Sequence, residues 1–425
     1  MNTTMVRHLH VWRRLSDGSD VLVGELAQNR QGTFFQYEAE YLKQYQSLSP
    51  FNLPFDNSLA QAPGTPHAGL HGLFADSLPD GWGMLLMDRV FRKRGVSQHT
   101  VTPMDRLAYI GRRGTGALHY TPAMESDSES TMSEMTTLGE QAALLFDGQT
   151  DEVLQALANA GGPGGARPKA LIYFDPERPQ KVFTEEQGGS NQAWLIKFTS
   201  SKLDLGHDEG LCEAAWLRMA QQCDIHVPEH KLFPQSNGRN WLALKRFDCV
   251  DGAPDGRYHM QTLCGLLDAD FRQPSMDYED VIKASQILCQ SPAVGRSQFV
   301  RAMFNLFAAN QDDHTRNWSF LMPDTGQWQP SPMYDVTFSP TPYGEHAMSF
   351  GGYGSKPPLK AIQKLASYAN YSSWKEAQKD LQKICDVLAG WPVIGKELGV
   401  MPGIRRDIST QLSRIYQENH GLLYS

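Results

Sequence analysis

Three oxygen-bearing residues stand at spacings that suit phosphoryl transfer. In Ala309-Asn310-Gln311-Asp312-Asp313-His314-Thr315-Arg316-Asn317, Asp312 and Asn317 are five positions apart, and Asp335, in Pro332-Met333-Tyr334-Asp335, follows Asp312 by 23. Such chemistry requires one carboxylate to orient an acceptor hydroxyl and take its proton. It also requires an amide oxygen and a second carboxylate to hold Mg²⁺ against nucleotide phosphates. Protein kinases carry Asp and Asn with four residues between them, then a further Asp after a hairpin. Here Trp318 to Met322 and Gln327 to Pro332 read as hairpin arms around the turn Pro323-Asp324-Thr325-Gly326. A five-residue arm travels about 16 Å at roughly 3.3 Å per residue, so Asp335 can return beside Asn317. Asp, Asn and Gly also collect in ordinary solvated turns, and the D-x-x-x-x-N spacing by itself suits that reading too. The residues upstream bear on the choice.

The first is the stretch Gly161-Gly162-Pro163-Gly164-Gly165-Ala166-Arg167-Pro168-Lys169, which feeds the apolar strand Ala170 to Phe174. Glycine lets backbone N–H groups come close to an anion, as a phosphate cradle needs. A plain linker is the alternative, and the Walker pattern of Gly-Lys-Ser/Thr opening a helix is absent. Next, Ala193 to Phe198 is an apolar strand carrying one lysine, Lys197. An ammonium in an apolar run needs an anion. In a kinase that lysine binds ATP phosphates and is held by a helix glutamate. Glu209 to Gln222 reads as an amphipathic helix with Glu213 near its middle as the chosen partner and Glu209 as the alternative. A lysine that merely snorkels from a strand end is the competing reading. Lys231 to Phe233 and Trp241 to Asp248 read as an antiparallel pair, whose end, Lys245 to Phe247, would be the hinge that meets adenine.

These residues need a frame to hold them. The first 60 residues offer three strand candidates, His8 to Trp12, Val21 to Leu26 and Thr33 to Tyr37, followed by a helix over Glu38 to Gln46. In Phe74 to Gly83, Asp80-Gly81 is read as the cap of a helix over Met84 to Arg94 rather than as part of any chemistry. Met104 to Ile110 reads as a helix, Gly116 to Tyr120 as a strand and Ala123 to Thr137 as an exposed linker. Leu138 to Phe146 and Glu152 to Ala160 follow as helices. Beyond the hinge, helices are expected over His259 to Leu267, Tyr278 to Gln290, Ser297 to Ala309, Leu359 to Tyr368, Trp374 to Leu388 and Ile404 to Glu418. The fold class is α+β: a bilobal protein-kinase-like fold, with an N-terminal β-rich subdomain (1–122), an N-lobe region bearing the Gly-rich loop (138–248) and a mostly helical C-terminal lobe (249–425).

Composition narrows the function classes. A chain of 425 residues exceeds one ordinary core, and 40% apolar with 20% charged residues is a globular balance. A formal net charge of -8 argues against direct strong nucleic-acid binding. The six cysteines lack zinc-site spacing and read as buried free thiols of a reducing compartment. With no apolar signal region and no run of 18 apolar residues, the expectation is a cytoplasmic protein without membrane contact.

The chain also resembles the HipA-like serine/threonine kinase family, the toxin components of bacterial toxin–antitoxin systems. The resemblance is carried by Phe74 to Gly83 with its Ser-Leu-Pro-Asp-Gly core, Gly164 to Lys169, Ile196-Lys197, Lys245-Arg246-Phe247-Asp248, Asn310 to Asn317, and Met333-Tyr334-Asp335. It implies ATP and Mg²⁺ as cofactors, a protein substrate carrying Ser or Thr, and a small DNA-binding HipB-like antitoxin as partner. Carried over, Asp312 is the catalytic base, Lys197 holds the phosphates, and Asn317 and Asp335 are metal ligands. Gly164, Gly165, Ala166, Arg167, Lys169, Glu213, Lys245, Phe247 and His314 belong to the nucleotide site. The best-known members phosphorylate aminoacyl-tRNA synthetases, so a translation-related substrate is the expectation. This chain departs from the family in three places. Ala160 to Gly164 contains no Ser or Thr, so inhibition by loop autophosphorylation would need a substitute such as Thr150. Lys245 stands where hinges often have Glu, and Arg316 replaces a common Lys. Two other classes stay open: a small-molecule phosphotransferase, and a catalytically inactive ATP-binding module. Asp312-Asp313-His314 as metal ligands of a phosphodiesterase is disfavoured by the lack of further clustered ligands.

Overall fold

The computed structural model describes residues 6–124, 132–153, 155–161, 164–186, 188–235, 238–253, 255–274 and 276–424. Gly162 and Pro163 of the Gly-rich loop and residues 125–131 of the expected linker lie outside them. The first sheet contains β1 (His8–Arg14), β2 (Asp20–Asn29), β3 (Gly32–Tyr37), β4 (Ala60–Gln61) and β5 (Leu118–Thr121), in the order β4-β3-β2-β1-β5. Alternation puts Leu9, Val11, Leu26 and Phe35 on the buried side, and Val23, the residue left over where Val11 pairs with Gly24 and Trp12 with Leu22, is buried through a β-bulge. These residues share one apolar core with the C-terminal helices. Arg13, itself buried, reaches Pro323 O at 3.2 Å and Asp324 Oδ1 at 3.4 Å. The N-terminal domain therefore grips the turn of the hairpin that precedes Asp335.

The second sheet contains β6 (Met132–Glu134), β7 (Lys169–Phe174), β8 (Lys181–Phe183), β9 (Gln192–Lys197), β10 (His230–Pro234) and β11 (Asn240–Lys245), in the order β10-β11-β9-β7-β8-β6. β7 and β9 are antiparallel with Lys169 opposite Lys197, so the register brings two ammonium groups to the same end of the sheet. Met132–Glu134 was expected in a linker. Instead it adds an edge strand on β8, and the next helix, Met135–Phe146, starts at once. Trp82 and Leu86, from the helix Gly81–Lys93, belong to this lobe's core with Leu138, Trp194 and Ile196.

The helix Glu209–Gln222 runs between the lobes, and the expectation of a helix there with one wet face needs correction. Leu211, Cys212, Ala214, Ala215, Trp216, Leu217, Met219 and Ala220 are all buried, because the sheet covers one side and C-lobe helices the other. Trp216 packs on Trp391 and Phe338, and its indole donates to Ala308 O at 3.0 Å. The helix is thus fixed to the floor of the C-lobe.

A third, small sheet joins β12 (His259–Thr262), β13 (Ser319–Met322) and β14 (Gln329–Pro330). The anticipated hairpin is β13 and β14. The anticipated helix over His259 to Leu267 is instead a strand followed by one helical turn, Leu263–Leu266. The inward residues of that strand are polar, which hides its period of two. His259 Nε2 contacts Leu48 O at 2.9 Å and Gln261 donates to Ser49 Oγ at 3.0 Å. Thr262 then caps the turn by accepting from Gly265 N. The C-lobe is completed by helices Tyr278–Cys289, Ala293–Phe307, Leu359–Tyr368, Trp374–Ala389, Trp391–Glu397 and Pro402–Asn419. All six cysteines are unpaired; five are buried and Cys249 is half-buried. Among the described residues no helix is long and apolar enough to cross a membrane.

Candidate active site

Lys197 closes β9 at the inner wall of the cleft between the lobes. Its ammonium donates to both oxygens of Glu213, at 2.6 and 2.9 Å, and to Asp335 Oδ1 at 2.6 Å. Glu213 is therefore the helix partner, and the alternative, Glu209, is paired with Arg167 at 2.5 Å. Burial opposes the charge on Lys197, but Asp335 and Glu213 outweigh it and raise its pKa. Burial opposes the charge on Asp335 too, yet Lys197, Lys169 and Arg167 hold its carboxyl well below the usual range. Lys169 goes the other way. Burial lowers its pKa, and Lys197 opposite adds repulsion. Asp335 has φ +53°, a left-handed conformation uncommon for a residue with a side chain.

The catalytic-loop candidates follow the helix Ala293–Phe307. Asp312 is exposed, with 67% of its side chain open to solvent. Asn317 donates from Nδ2 to Asp312 O at 2.8 Å, which turns its Oδ1 away from that bond. His314 lies edge-on to Phe271 at 5.4 Å, and its Nε2 is 3.7 Å from Asp312 Oδ1. Asp313, read from sequence as part of a solvated loop or, in the disfavoured alternative, as a metal ligand, is fully buried. It accepts from Tyr278 Oη and from the backbone of Ala347 at 2.8 Å, and pairs with His346 at 2.8 Å. Gln311 accepts from Thr341 N at 2.6 Å and donates to Gly344 O at 3.0 Å. The segment after Asp335 is thus bonded to residues on either side of Asp312.

The cleft, with a cavity of about 160 Å³, is lined by Gly164, Gly165, Lys169, Lys197, Lys245, Phe247, His314, Asn317 and Asp335 among the expected residues. Ala166, Arg167, Glu213 and Asp312 are not part of that lining: Glu213 stands behind Lys197, and Asp312 is at the outer rim. The hinge candidate is anchored from outside. Lys245 turns its ammonium to Asp251 at 2.7 Å, and Arg246 pairs with Asp248 at 2.6 Å, which in turn accepts from Gly116 N at 2.7 Å. Phe247 stacks at a tilt on Tyr334, 5.5 Å between centroids.

The HipA-like C-terminal domain family matches residues 161–391, and the HipA N-terminal domain family matches residues 18–121. The chain belongs to the HipA-like family. A chain of the HipA, HipB and operator DNA complex of the Shewanella oneidensis MR-1 toxin–antitoxin system superposes with a TM-score of 0.68 at 16% identity, covering 98% of this HipA-like chain and 96% of its own length. That likeness shows a shared fold. A protein of Sinorhizobium fredii provisionally named as a kinase, Y4dM, is 28% identical over 205 residues, 42% of this chain. The chain spans about half, 48%, of that relative.

Sequence reasoning missed several residues of the HipA-like cleft. Leu171, Leu195, Leu244 and Met260 supply apolar walls that no motif marks, and Leu78 adds to them from the Ser-Leu-Pro-Asp-Gly core. Asp76 accepts from Thr262 N and Oγ1, both at 2.7 Å, and burial, partly offset by Arg316, raises its pKa to about 6. Asp80 was read as a helix cap. It makes no side-chain cap bond, and its carboxylate instead accepts from Gly165 N and from Arg316 at 2.7 Å. The Ser-Leu-Pro-Asp-Gly core carried the only signal for it.

Proposed function

We propose that this HipA-like chain is an ATP- and Mg²⁺-dependent serine/threonine protein kinase, cytoplasmic, and neutralised as a toxin by a small HipB-like antitoxin. The observation that carries the reading is the bonding of Lys197 to Glu213 and Asp335 at once, inside a cleft whose other wall bears Asn317. Lysine, helix glutamate and metal-binding aspartate in mutual contact are what phosphoryl transfer asks of a kinase. Leu171, Leu195, Leu244, Met260 and Phe247 would take the adenine, and Lys197 and Lys169 the phosphates. The donor set suits Mg²⁺. Asn317 has its nitrogen committed and its oxygen available, and Asp335 is kept ionised. Among the described residues no group of three or more His, Cys, Asp or Glu could hold a metal ion. That accords with Mg²⁺, which takes one or two protein ligands and completes its shell with phosphates and water. Bound there, Mg²⁺ would offset negative charge on the transferred group.

Asp312 is assigned to orient the acceptor hydroxyl and receive its proton. Its exposure at the rim favours a macromolecular acceptor over a small molecule enclosed in the cleft. The antitoxin partner is proposed from family membership and from the composition of the matched Shewanella complex, and a translation-related substrate such as an aminoacyl-tRNA synthetase from family resemblance. The test is expression of the chain with and without its candidate antitoxin, with phosphosite mapping of cell proteins. Serine or threonine phosphorylation that needs Asp312 and is suppressed by the antitoxin supports the reading. Nucleotide binding with no new phosphosites would favour an inactive ATP-binding module.

A further inference from the structure

The Gly-rich loop is bonded to the N-terminal domain through both backbone groups of Gly165. Its N–H donates to Asp80 Oδ1, and its carbonyl accepts the Trp82 N–H at 2.9 Å. The buried Trp82 indole donates to Lys169 O at 2.8 Å, where the loop enters β7. Gly81, between these two residues, has φ +38°, and a Cβ there would lie 2.7 Å from both Ala166 Cα and Gly165 O. Asp80-Gly81-Trp82 is therefore shaped to the loop, and Gly81 leaves no room for any other residue.

The second oxygen of Asp80 accepts from Arg316 Nη1 at 2.7 Å, and Arg316 directly precedes Asn317 in the catalytic loop. The Arg316 guanidinium also stacks 4.6 Å over the Phe271 ring, and both partners of the ion pair are mostly buried. One carboxylate from the N-terminal domain thus joins a loop of one lobe to a loop of the other. We infer that Asp80 is a positioning residue through which the N-terminal domain sets the Gly-rich loop against the catalytic loop, an inference that rests on the kinase reading above. While Gly165 N–H is held by Asp80 it is not free for a phosphate. The loop's contribution is then to keep Lys169 and Gly164 in register with Asn317, and that register depends on the charge at position 80.

Two substitutions in the full chain separate the parts of this contact. Asp80→Ala loses both bonds, whereas Asp80→Asn keeps an oxygen for Gly165 and loses the charge that holds Arg316. Amide exchange without nucleotide should speed up at Gly165 by about tenfold in Asp80→Ala, the scale of one lost hydrogen bond, and stay near wild type in Asp80→Asn. Unchanged protection of Ala170 to Phe174 in both variants checks that the lobe is folded. In phosphate transfer, Asp80→Asn and Arg316→Gln should each lower kcat by about 10²-fold, the effect of a misplaced reacting group. The double variant should be no slower than the slower single, because the pair acts as one unit. Unchanged exchange at Gly165 in Asp80→Ala, or losses that multiply in the double variant, would overturn the inference. A wild-type chain that transfers no phosphate would count against the kinase reading instead, and the exchange experiment would still decide whether Asp80 holds the loop.

Discussion

Glu213→Gln separates charge from shape at the centre of the site. Lys197 and Glu213 have side chains 7% and 1% exposed, so water cannot replace the lost carboxylate. Breaking a buried ion pair by removing one partner costs roughly 3–5 kcal/mol when the remaining charge is left alone. Here Asp335, 2.6 Å from the ammonium, still neutralises it, and Gln can accept one hydrogen bond. The expected loss is therefore about 2–3 kcal/mol. At about 2–4 °C per kcal/mol for a lobe of this size, melting should fall by roughly 4–12 °C. Activity should fall further than stability accounts for. With Glu213 neutral, Asp335 becomes the sole carboxylate on Lys197 and is drawn away from a metal ion, so transfer should slow by about 10²-fold, with more Mg²⁺ needed for half-maximal rate. Thermal melting and Mg²⁺-titrated transfer rates read these effects. A Glu213→Gln chain that melts with the wild type and keeps its rate and Mg²⁺ requirement would refute the assignment.

Other substitutions probe the remaining contacts. Asn317→Ala removes the proposed amide-oxygen ligand and the tie to Asp312 O, and should raise the Mg²⁺ concentration for half-maximal transfer about tenfold or more while leaving melting nearly unchanged. Asp313→Ala strands buried donors from Tyr278, His346 and Ala347, and should cost about 3 kcal/mol, read by melting and by faster proteolysis in 339–357. Asp76 gives a pH signature. Its folded pKa of about 6 lies above the ordinary carboxylate value, so folding takes up a proton between about pH 4 and 6. The group therefore lowers stability above pH 6, and that deficit fades as pH falls toward 4. The melting temperature of the wild type relative to Asp76→Asn should rise as pH is lowered from 7.5 to 5, and a flat difference would contradict the shift.

What the sequence reveals is chemistry held at short spacing. Asp312, Asn317 and Asp335 stand out because the proposed reaction would constrain their types and intervals, and Lys197 because a lone ammonium in an apolar strand needs a partner. The hairpin was legible from its turn residues. The strand His259–Thr262 was not, since its inward positions are His and Gln satisfied by Leu48 and Ser49 more than 200 residues earlier. Asp80 has partners 85 and 236 residues away, so local rules could offer only a helix cap. The structural role of Asp313 was hidden for the same reason, because its buried partners lie more than 30 residues away, Tyr278 before it and His346 and Ala347 after it. The helix Glu209–Gln222 was legible as a helix, but its burial on both sides depends on lobes that come together only in the folded chain.

The central claim is that this cleft moves the γ-phosphate of ATP to a protein hydroxyl with Asp312 as base. The measurement is transfer of labelled γ-phosphate by the purified chain with Mg²⁺ and a cell extract, run beside Asp312→Ala. The account predicts serine or threonine label on a defined extract protein, reduced about 10²- to 10⁴-fold in the variant and abolished by chelating Mg²⁺. Equal labelling by Asp312→Ala, or labelling that persists without the metal, would contradict it.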